Sequence, residues 1–353
     1  MAYQQGFSLK LLRTGSLAVL LAATTALPLR AETVRYTDHD PLGGMRTQFV
    51  NDVWLPAIAE ASTGSIEVTP MFGGTLMGSK EVLSGVGDGI ADLGFVFPGH
   101  YPERLVAHTI FPLFPRGPAK FENMAWFYHQ LYDRVPAYRE ELESAGVVPL
   151  MTTAGLPGVF VSKYEMTSLD GLKDYKWRAG GKWLLKYLGN AGAAPVSVPW
   201  GDVYVALQTG TIDGVFSNYD GVHLMRFDEV APNVMLSKEL WYSIPFVHIA
   251  NKEFYDGLSD EGRAALQAAS AKAETEFGAV YDATFNSIRD AEIAAGVKVT
   301  ELSPADIEIW ENPDELVKLR AEWVEEAKAS GLENAQEVMD QTAAIFDEAM
   351  ARE

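Results

Sequence analysis

Arg178 is the side chain in this sequence that is best suited to bind an anion. It follows Trp177 and precedes Gly180 and Gly181, where the absence of side chains lets the backbone approach a ligand closely. A helix is predicted to begin at Lys182. A guanidinium beside a helix N-terminus suits a carboxylate, because two parallel N–H groups meet two oxygens and the helix dipole favours negative charge. A structural ion pair with one of the 48 acidic residues is the alternative role for Arg178, and residue types alone leave both open.

Two further residues downstream of Arg178 are candidates for contact with a ligand. Trp200 stands in a Pro-Trp-Gly turn, where its ring could either stack on a ligand or cap a lobe. Asn218 follows the strand-like run from Ile212 to Phe216. Its amide would therefore emerge just beyond the end of a strand.

The elements that position these residues occur twice in the chain. Residues 89–95 and 210–216 share the pattern G-x-[AI]-D-x-x-F, and each copy ends in a strand-like run that follows a strand, a turn and a helix. His100 and Asn218 come soon after the two copies, at the predicted carboxyl edge of a parallel sheet, where open α/β sheets bind ligands. Two similar α/β lobes facing each other across a cleft would explain the repeat, although a chance match or a generic βαβ unit is the alternative.

The helical periodicity predicts how the chain divides between these lobes. A pattern from Ser259 to Ala295 is longer than one lobe is wide, so this helix is expected to span both. Residues 32–155 plus about 244–283 are predicted to form the first lobe. Residues 156–243 plus about 284–353 are predicted to form the second.

Residues 1–31 differ from the rest of the chain. Lys10 and Arg13 precede an uncharged run from Gly15 to Leu29, and the small residue Ala31 follows. This pattern is typical of a secretory signal peptide, and the run is too short for a comfortable membrane span. A retained N-terminal anchor is the alternative. The remaining chain is therefore expected outside the cytoplasm.

The charge of the chain excludes several classes of partner. The formal net charge is -20 at pH 7, and it becomes more negative when the basic signal segment is removed. Such a surface repels nucleic acid and anionic lipid, so neither is an expected partner. An anion site must be a local exception, built from a few cations and N–H groups. The absence of cysteine rules out disulfides and thiolate chemistry.

The spacing of the histidines, serines and glycines in the sequence matches no common catalytic or metal-binding motif. The six histidines show no H-x-x-x-H pair, and no G-x-S-x-G elbow occurs. The glycines at 85, 87 and 89 follow a predicted helix where a nucleotide loop would follow a strand. We predict no metal, no cofactor and no catalysis. An exported acid/base enzyme acting on a carboxylate is the alternative, since the many acids would hide a catalytic pair.

A long block of sequence carries a family resemblance. Lys176-Trp177-Arg178, the block AAPVSVPWGDVYVALQTGTIDG over residues 193–214 and then Asn218 follow one another. In this arrangement the chain resembles the substrate-binding proteins of tripartite ATP-independent periplasmic (TRAP) transporters, the DctP-type family. Weaker similarity extends over residues 32–353.

The resemblance implies a fold, a function and a location. It implies a two-lobed α/β architecture of the periplasmic-binding-protein type, with a cleft between the lobes and a long helix bridging them. It also implies capture of a small organic acid in the periplasm and delivery to a TRAP membrane permease, by a protein we expect to be monomeric. By resemblance, Arg178 clamps the carboxylate, Asn218 hydrogen-bonds it, and Trp200 lines the pocket where phenylalanine is usual.

Two departures from the family pattern concern the substrate. Sialic-acid-binding relatives carry a second arginine near the position of Gly158, and the usual Gln-Asn-Pro or Glu-Asn-Pro is Ser217-Asn218-Tyr219 here. Sialic acid is therefore not the expected ligand. Extra aromatic residues, among them Tyr219 as a candidate ligand contact, point to an aromatic or hydroxylated monocarboxylate.

The first lobe must supply the contacts that distinguish one acid from another. His39, Arg46, His100 and Tyr101 are the candidates from its loops. A surface position on the first helical turn is the commoner fate for an arginine such as Arg46. Whether the ligand carries one or two carboxylates is left open.

Overall fold

The computed structural model describes residues 1–2, 32–241 and 244–353. The predicted signal peptide, apart from its first two residues, lies outside the described residues. No helix in the part of the chain that the structure describes is both long enough and apolar enough to cross a membrane.

Strands β1, β2, β3, β4 and β10 form the first of two sheets. Strand order in this sheet is β2-β1-β3-β10-β4, with β10 antiparallel to both of its neighbours and β1 parallel to β2 and β3. The bounds are β1 (Glu32–Thr37), β2 (Ile66–Met71), β3 (Leu93–Val96), β4 (Val147–Thr153) and β10 (Phe246–Asn251).

The second sheet repeats this arrangement. Its order is β7-β6-β8-β5-β9-β11, with β5 antiparallel to β8 and β9 and with β6 parallel to β7 and β8. The bounds are β5 (Gly158–Ser162), β6 (Lys176–Arg178), β7 (Ala194–Val196), β8 (Gly214–Asn218), β9 (Asn233–Leu236) and β11 (Lys298–Glu301). In each sheet one antiparallel strand enters directly from the other lobe, so the chain passes between the lobes from β4 to β5 and again from β9 to β10.

Helices cover the two sheets. Those with the first sheet are α1 (Met45–Phe49), α2 (Leu55–Ala61), α3 (Val82–Gly87), α4 (Phe121–Arg134), α5 (Pro136–Ser144) and α9 (Lys252–Gly257). Those with the second sheet are α6 (Lys182–Asn190), α7 (Val203–Thr209), α8 (Tyr219–Leu224) and α11 (Pro304–Glu311). Three more complete the fold: α10 (Asp260–Ala294), α12 (Pro313–Ala329) and α13 (Ala335–Met350).

Helix α10 joins the two lobes. It has 35 residues, which corresponds to about 50 Å at 1.5 Å per residue. Ser259 caps its start by accepting a hydrogen bond from the Gly262 backbone N–H. It packs on α2 and β4 of the first lobe and on α8 and β11 of the second. The predicted two-lobed α/β fold with a bridging helix is confirmed.

The C-terminal helices depart from the predicted division. Helix α13 packs on α4 of the first lobe, where the Tyr138 hydroxyl lies 2.7 Å from the Thr342 hydroxyl. Helix α12 contacts the first lobe through Trp323, whose indole N–H donates to Thr109 at 2.8 Å. Helix α13 thus packs on the first lobe, while α12 contacts both lobes, since its Glu322 and Glu326 pair with Lys186 of α6. An amphipathic stripe shows which face is buried but does not identify its partner.

Candidate functional site

A cavity lies where the carboxyl ends of β1, β3, β6 and β8 meet. Its first-lobe wall includes His39, Asp40, Arg46, Phe95, Phe97, His100 and Phe246. Its second-lobe wall includes Arg178, Gly180, Trp200, Ser217, Asn218, Asp220, Gly221 and Leu224. Six of the eight predicted site residues therefore line one cavity: His39, Arg46, His100, Arg178, Trp200 and Asn218.

Arg178 is the last residue of β6, and strand pairing with β8 sets its position. Its side chain is only 4% exposed, and Nε donates to the Val198 carbonyl at 3.0 Å. The guanidinium carbon lies 5.3 Å from the centre of the Trp200 ring, within the range of a cation–π interaction. Gly181, with φ of 99°, turns the chain into α6 directly after this residue. A buried cation is thus held against an aromatic wall of the cavity.

Asn218 ends β8 and is the residue before α8. Its amide N–H donates to Asp220 Oδ1 at 2.8 Å, and its amide oxygen accepts from the Ser217 hydroxyl at 3.1 Å. A Cβ at Gly155 would lie 2.7 Å from the Asn218 Cβ, so a side chain there would displace the amide. These contacts hold Asn218 in a single orientation at the cavity wall.

Asp220 anchors this part of the second lobe. Its Oδ1 accepts the Leu156 backbone N–H at 2.7 Å in addition to the Asn218 amide. Burial raises the pKa of Asp220 above its ordinary value, against the opposing effect of the Asn218 hydrogen bond. No sequence motif points to Asp220, because it is one of 48 acidic residues.

Arg46 lies on α1 and is buried by two carboxylates of its own lobe. Its guanidinium donates to Asp38 at 2.5 and 3.1 Å and to Asp40 at 2.7 Å, and it stacks 3.4 Å from the centre of the Phe95 ring. Burial opposes the charged form, but Asp38 and Asp40 raise the pKa of Arg46 above its usual value. A surface position for Arg46 is excluded, since the side chain is 3% exposed.

Behind Asp38 the first lobe contains a chain of buried polar groups. The Tyr36 hydroxyl donates to Asp38 at 2.8 Å and lies 3.4 Å from Nδ1 of His248, whose Nε2 lies 3.2 Å from the Thr153 hydroxyl. Burial and then the charge of Arg46 lower the pKa of His248 to about 3, so this ring is neutral. The network fixes Asp38, and Asp38 in turn fixes Arg46.

His39 and His100 form a polar patch on the same wall. The His39 ring stacks on Phe95 with 5.1 Å between centroids and lies 5.4 Å from the ring of His100. Within the described residues neither Nδ1 atom has a hydrogen-bond partner, although both are buried. Burial, and then the charges of His39 and Arg178, lower the pKa of His100 to about 3. A neutral imidazole can offer a ligand either a donor or an acceptor.

Tyr101 and Tyr219 were predicted to contact the ligand and do not line the cavity. The Tyr101 hydroxyl donates to the Ser79 carbonyl at 2.6 Å within the first lobe's core. The Tyr219 hydroxyl donates to Glu292 of α10 at 2.5 Å. Tyr219 is the first residue of α8, and the helical turn directs Asp220 to the cavity and Tyr219 to α10.

One hydrogen bond joins the two lobes across the cavity. The Trp200 indole N–H of the second lobe donates to Asp40 Oδ1 of the first at 3.2 Å. Burial would raise the pKa of Asp40, but the charges of His39 and Arg46 and the hydrogen bonds from Arg46 and Trp200 hold it below its usual value. Asp40 therefore bonds simultaneously to an arginine of its own lobe and a tryptophan of the other.

The cavity wall contains no cluster of histidines and acids suited to a metal. Among the residues that the structure describes, one such group exists, formed by His223, Asp228 and Glu292 outside the cavity.

Two α/β lobes, a bridging helix and a cavity between the lobes define a two-lobed solute-binding protein. Residues 45–322 match the family model described as Bacterial extracellular solute-binding protein, family 7, also called DctP. The chain belongs to this family. The resemblance to TRAP binding proteins of the DctP type is thereby confirmed.

Individual relatives cover different shares of the chain. The ectoine-binding periplasmic protein TeaA of Halomonas elongata is 33% identical over 155 residues, which are 42% of this chain and 42% of that protein. The ectoine/5-hydroxyectoine-binding periplasmic protein UehA of Ruegeria pomeroyi is 26% identical over 292 residues, 81% of this chain and 80% of that protein. A TRAP solute-binding protein of Rhodoferax ferrireducens, solved with copurified benzoate, has a TM-score of 0.79 at 20% identity and covers 91% of this chain and 99% of its own.

Proposed function

We propose that this protein captures a small organic acid outside the cytoplasm and delivers it, without turnover, to a TRAP-type permease. The observation that carries the proposal is the buried Arg178 guanidinium, which lines one cavity together with Asn218 and with residues of both lobes. A guanidinium shielded from water and an amide on the same wall suit a carboxylate. Membership of a family of extracellular solute-binding proteins supports capture over catalysis.

The first-lobe wall argues for a ligand with a single carboxylate. Arg46 is the cation on that wall, and it is bonded to both Asp38 and Asp40. Two carboxylates around one guanidinium leave a net charge of about -1 when both are ionised, so a second ligand carboxylate there would be repelled. We therefore infer a monocarboxylate.

The shape of the cavity favours a ring. Phe95, Phe97, Phe246 and Trp200 supply apolar walls, and such walls bind flat rings by stacking or edge contacts. His39 and His100 present buried nitrogen atoms to a polar substituent on that ring. Relatives named for ectoine and solved with benzoate support a cyclic monocarboxylate as the class of ligand.

Closure of the lobes accompanies capture in this proposal. The Trp200–Asp40 hydrogen bond joins the lobes directly over the cavity, so it forms in the closed state and breaks when the lobes separate. Binding proteins of this architecture open and close by hinge motion. The connection from β4 to β5 at 154–157 and the bridging helix α10 are described segments that join the lobes and are available as hinges.

The test is ligand binding by residues 32–353 after denaturation and refolding to remove copurified acids. A thermal-shift screen over cyclic monocarboxylates identifies the ligand, because ligand bound only to the folded state raises Tm. Calorimetry then measures its affinity for Arg178→Ala and Arg178→Lys. We expect a loss of about 2–5 kcal/mol for Arg178→Ala, as for truncation of a buried charged partner. Arg178→Lys should retain little of the lost affinity, because an ammonium group lacks the planar pair of N–H donors of a guanidinium.

Arg134→Ala is the matched control. Arg134 ion-pairs with Glu348 on the surface, away from the cavity, so its removal should leave the affinity unchanged. Unchanged affinity in Arg178→Ala would refute the proposed site. Chemical conversion of the bound acid, seen by mass spectrometry of the released ligand, would refute binding without turnover.

A further inference from the structure

A second group of polar side chains lies at the far side of α8 from the cavity. His223 lies in the last turn of α8, Asp228 lies in the short turn that follows, and Glu292 lies in the last turn of α10. One ligand atom from each residue lies within 4.8 Å of the other two. The residues are distant in sequence, which is why the spacing of the histidines predicted no metal site.

Glu292 is the unusual member of this group. Its side chain is 1% exposed, and within the described residues its buried Oε1 has no hydrogen-bond partner. That oxygen points into the group, 3.9 Å from Nδ1 of His223. A buried carboxylate oxygen without a partner is costly, and one at a helix C-terminus also meets the negative end of the helix dipole. A cation at this point would offset both costs.

We propose that His223, Asp228 and Glu292 bind a divalent zinc ion. One imidazole nitrogen and two carboxylate oxygens form a donor set that zinc accepts, and water can complete a tetrahedral site. Calcium prefers six to eight oxygens, so the imidazole and the small number of donors favour zinc. Tetrahedral donors on zinc lie about 3.4 Å apart, and the pair of His223 Nδ1 and Glu292 Oε1 is close to this spacing.

The surroundings are consistent with a bound cation. The Tyr219 hydroxyl donates to Oε2 of Glu292 at 2.5 Å, which orients the carboxylate and leaves Oε1 toward His223. Hydrogen bonds of this kind to the outer oxygen of a ligand are typical of metal sites.

The neighbouring cations are already paired with acids. Arg289, one turn before Glu292 on α10, forms ion pairs with Asp290 and Glu301. Arg226, between α8 and Asp228, pairs with Glu229. His223 remains partly exposed, with 47% of its side chain accessible, so an ion can enter from solvent. Bound zinc would cross-link α8 and the following turn to α10.

The experiment is zinc titration of the untagged residues 32–353 after treatment with a chelator. We expect one zinc per chain by calorimetry and a rise in Tm. Loss of an outer-shell partner costs 10–100-fold in metal affinity, so loss of a direct ligand in His223→Ala or Glu292→Gln should cost roughly 100-fold or more. Glu292→Gln keeps the size and the Tyr219 contact, and circular dichroism and Tm without zinc check that each variant folds.

His129→Ala is the matched control. His129 also pairs a partly exposed imidazole with a mostly buried acid, Glu274, but the second oxygen of Glu274 accepts the Thr152 N–H at 3.2 Å and no third ligand completes a group. Zinc affinity should therefore be unchanged in His129→Ala. Absence of stoichiometric zinc binding, binding of calcium in preference to zinc, or equal zinc affinity in folded His223→Ala would each overturn the proposal.

Discussion

The two walls of the cavity are built on the same strand order but treat charge differently. In the second lobe, Arg178 at the end of β6 contacts a carbonyl oxygen and an indole ring. In the first lobe, Arg46 is surrounded by Asp38 and Asp40. The topology fixes where side chains emerge, while the two acids after β1 engage Arg46 within its own lobe. One wall is suited to bind a carboxylate, and the other limits how many carboxylates the ligand can carry.

Disrupting the ion pairs around Arg46 in the first wall should have the largest effect on the free energy of unfolding. We expect Asp38→Asn to destabilise the protein by about 3–5 kcal/mol, because it leaves the buried Arg46 without its bidentate partner. Urea unfolding of the ligand-free protein measures the loss. Asp133→Asn removes a partner from the exposed ion pair with Arg139 and should cost about 0.5 kcal/mol or less. Equal effects of the two substitutions would show that the Arg46 network contributes little to stability.

The first lobe also contains two histidines that are held neutral, His100 in the cavity wall and the buried His248 behind it. The folded pKa is lowered to about 3 for both His100 and His248, below the ordinary value of about 6.5. Protons then bind the unfolded chain preferentially, so stability is full above about pH 6.5 and falls as pH decreases toward 3. We expect roughly 1 kcal/mol per pH unit for each histidine in this window.

Unfolding free energies at pH 7, 6, 5 and 4 test this slope. His248→Gln should lose stability at pH 7, since its ring bonds to Tyr36 and Thr153, but it should show a shallower decline with acid. His129 has a raised pKa, mainly through its hydrogen bond to Glu274, so it opposes this trend. A slope unchanged by His248→Gln would contradict a neutral buried ring.

Removing one acid should make the net charge of the first wall less negative. Asp40→Asn leaves one carboxylate beside Arg46, so the first wall becomes about neutral. We expect the affinity for a dicarboxylate analogue of the ligand to rise about tenfold relative to the monocarboxylate, which corresponds to about 1.4 kcal/mol. Calorimetry with both compounds measures the ratio, and Asp133→Asn is again the control. An unchanged ratio would mean that the wall's charge does not select the ligand.

The contact that joins the walls should have the smallest effect. Trp200→Phe keeps an aromatic wall but removes the N–H donor to Asp40. Loss of one hydrogen bond is worth about 0.5–1.5 kcal/mol, so ligand affinity should fall about two- to tenfold. Trp200→Ala removes the wall as well and should cost more. If the Phe and Ala variants bound equally well, the ring would not contact the ligand.

Local patterns predicted much of the fold. Helical periodicity placed the start of α6 and both ends of the long α10 close to their observed bounds. A hydrophobic stripe is visible in the sequence without its packing partner. Periodicity therefore predicts where helices and strands lie in the chain, but it does not predict which elements pack together. The C-terminal helices show the limit, since α13 packs on the first lobe and α12 contacts both lobes.

The sequence by itself determined the family and the second wall, because Arg178, Trp200 and Asn218 lie in or beside one continuous block. Only the tertiary structure decided the first wall. Arg46 is buried because β1 and α1 bring two acids around it, and Tyr219 turns from the ligand to α10. The proposed zinc site likewise depends on the tertiary structure, because it joins His223 of α8 to Glu292 of α10, about 70 positions later in the chain. Charge pairing depends on distances in space, and a sequence shows these only where the chain is locally regular.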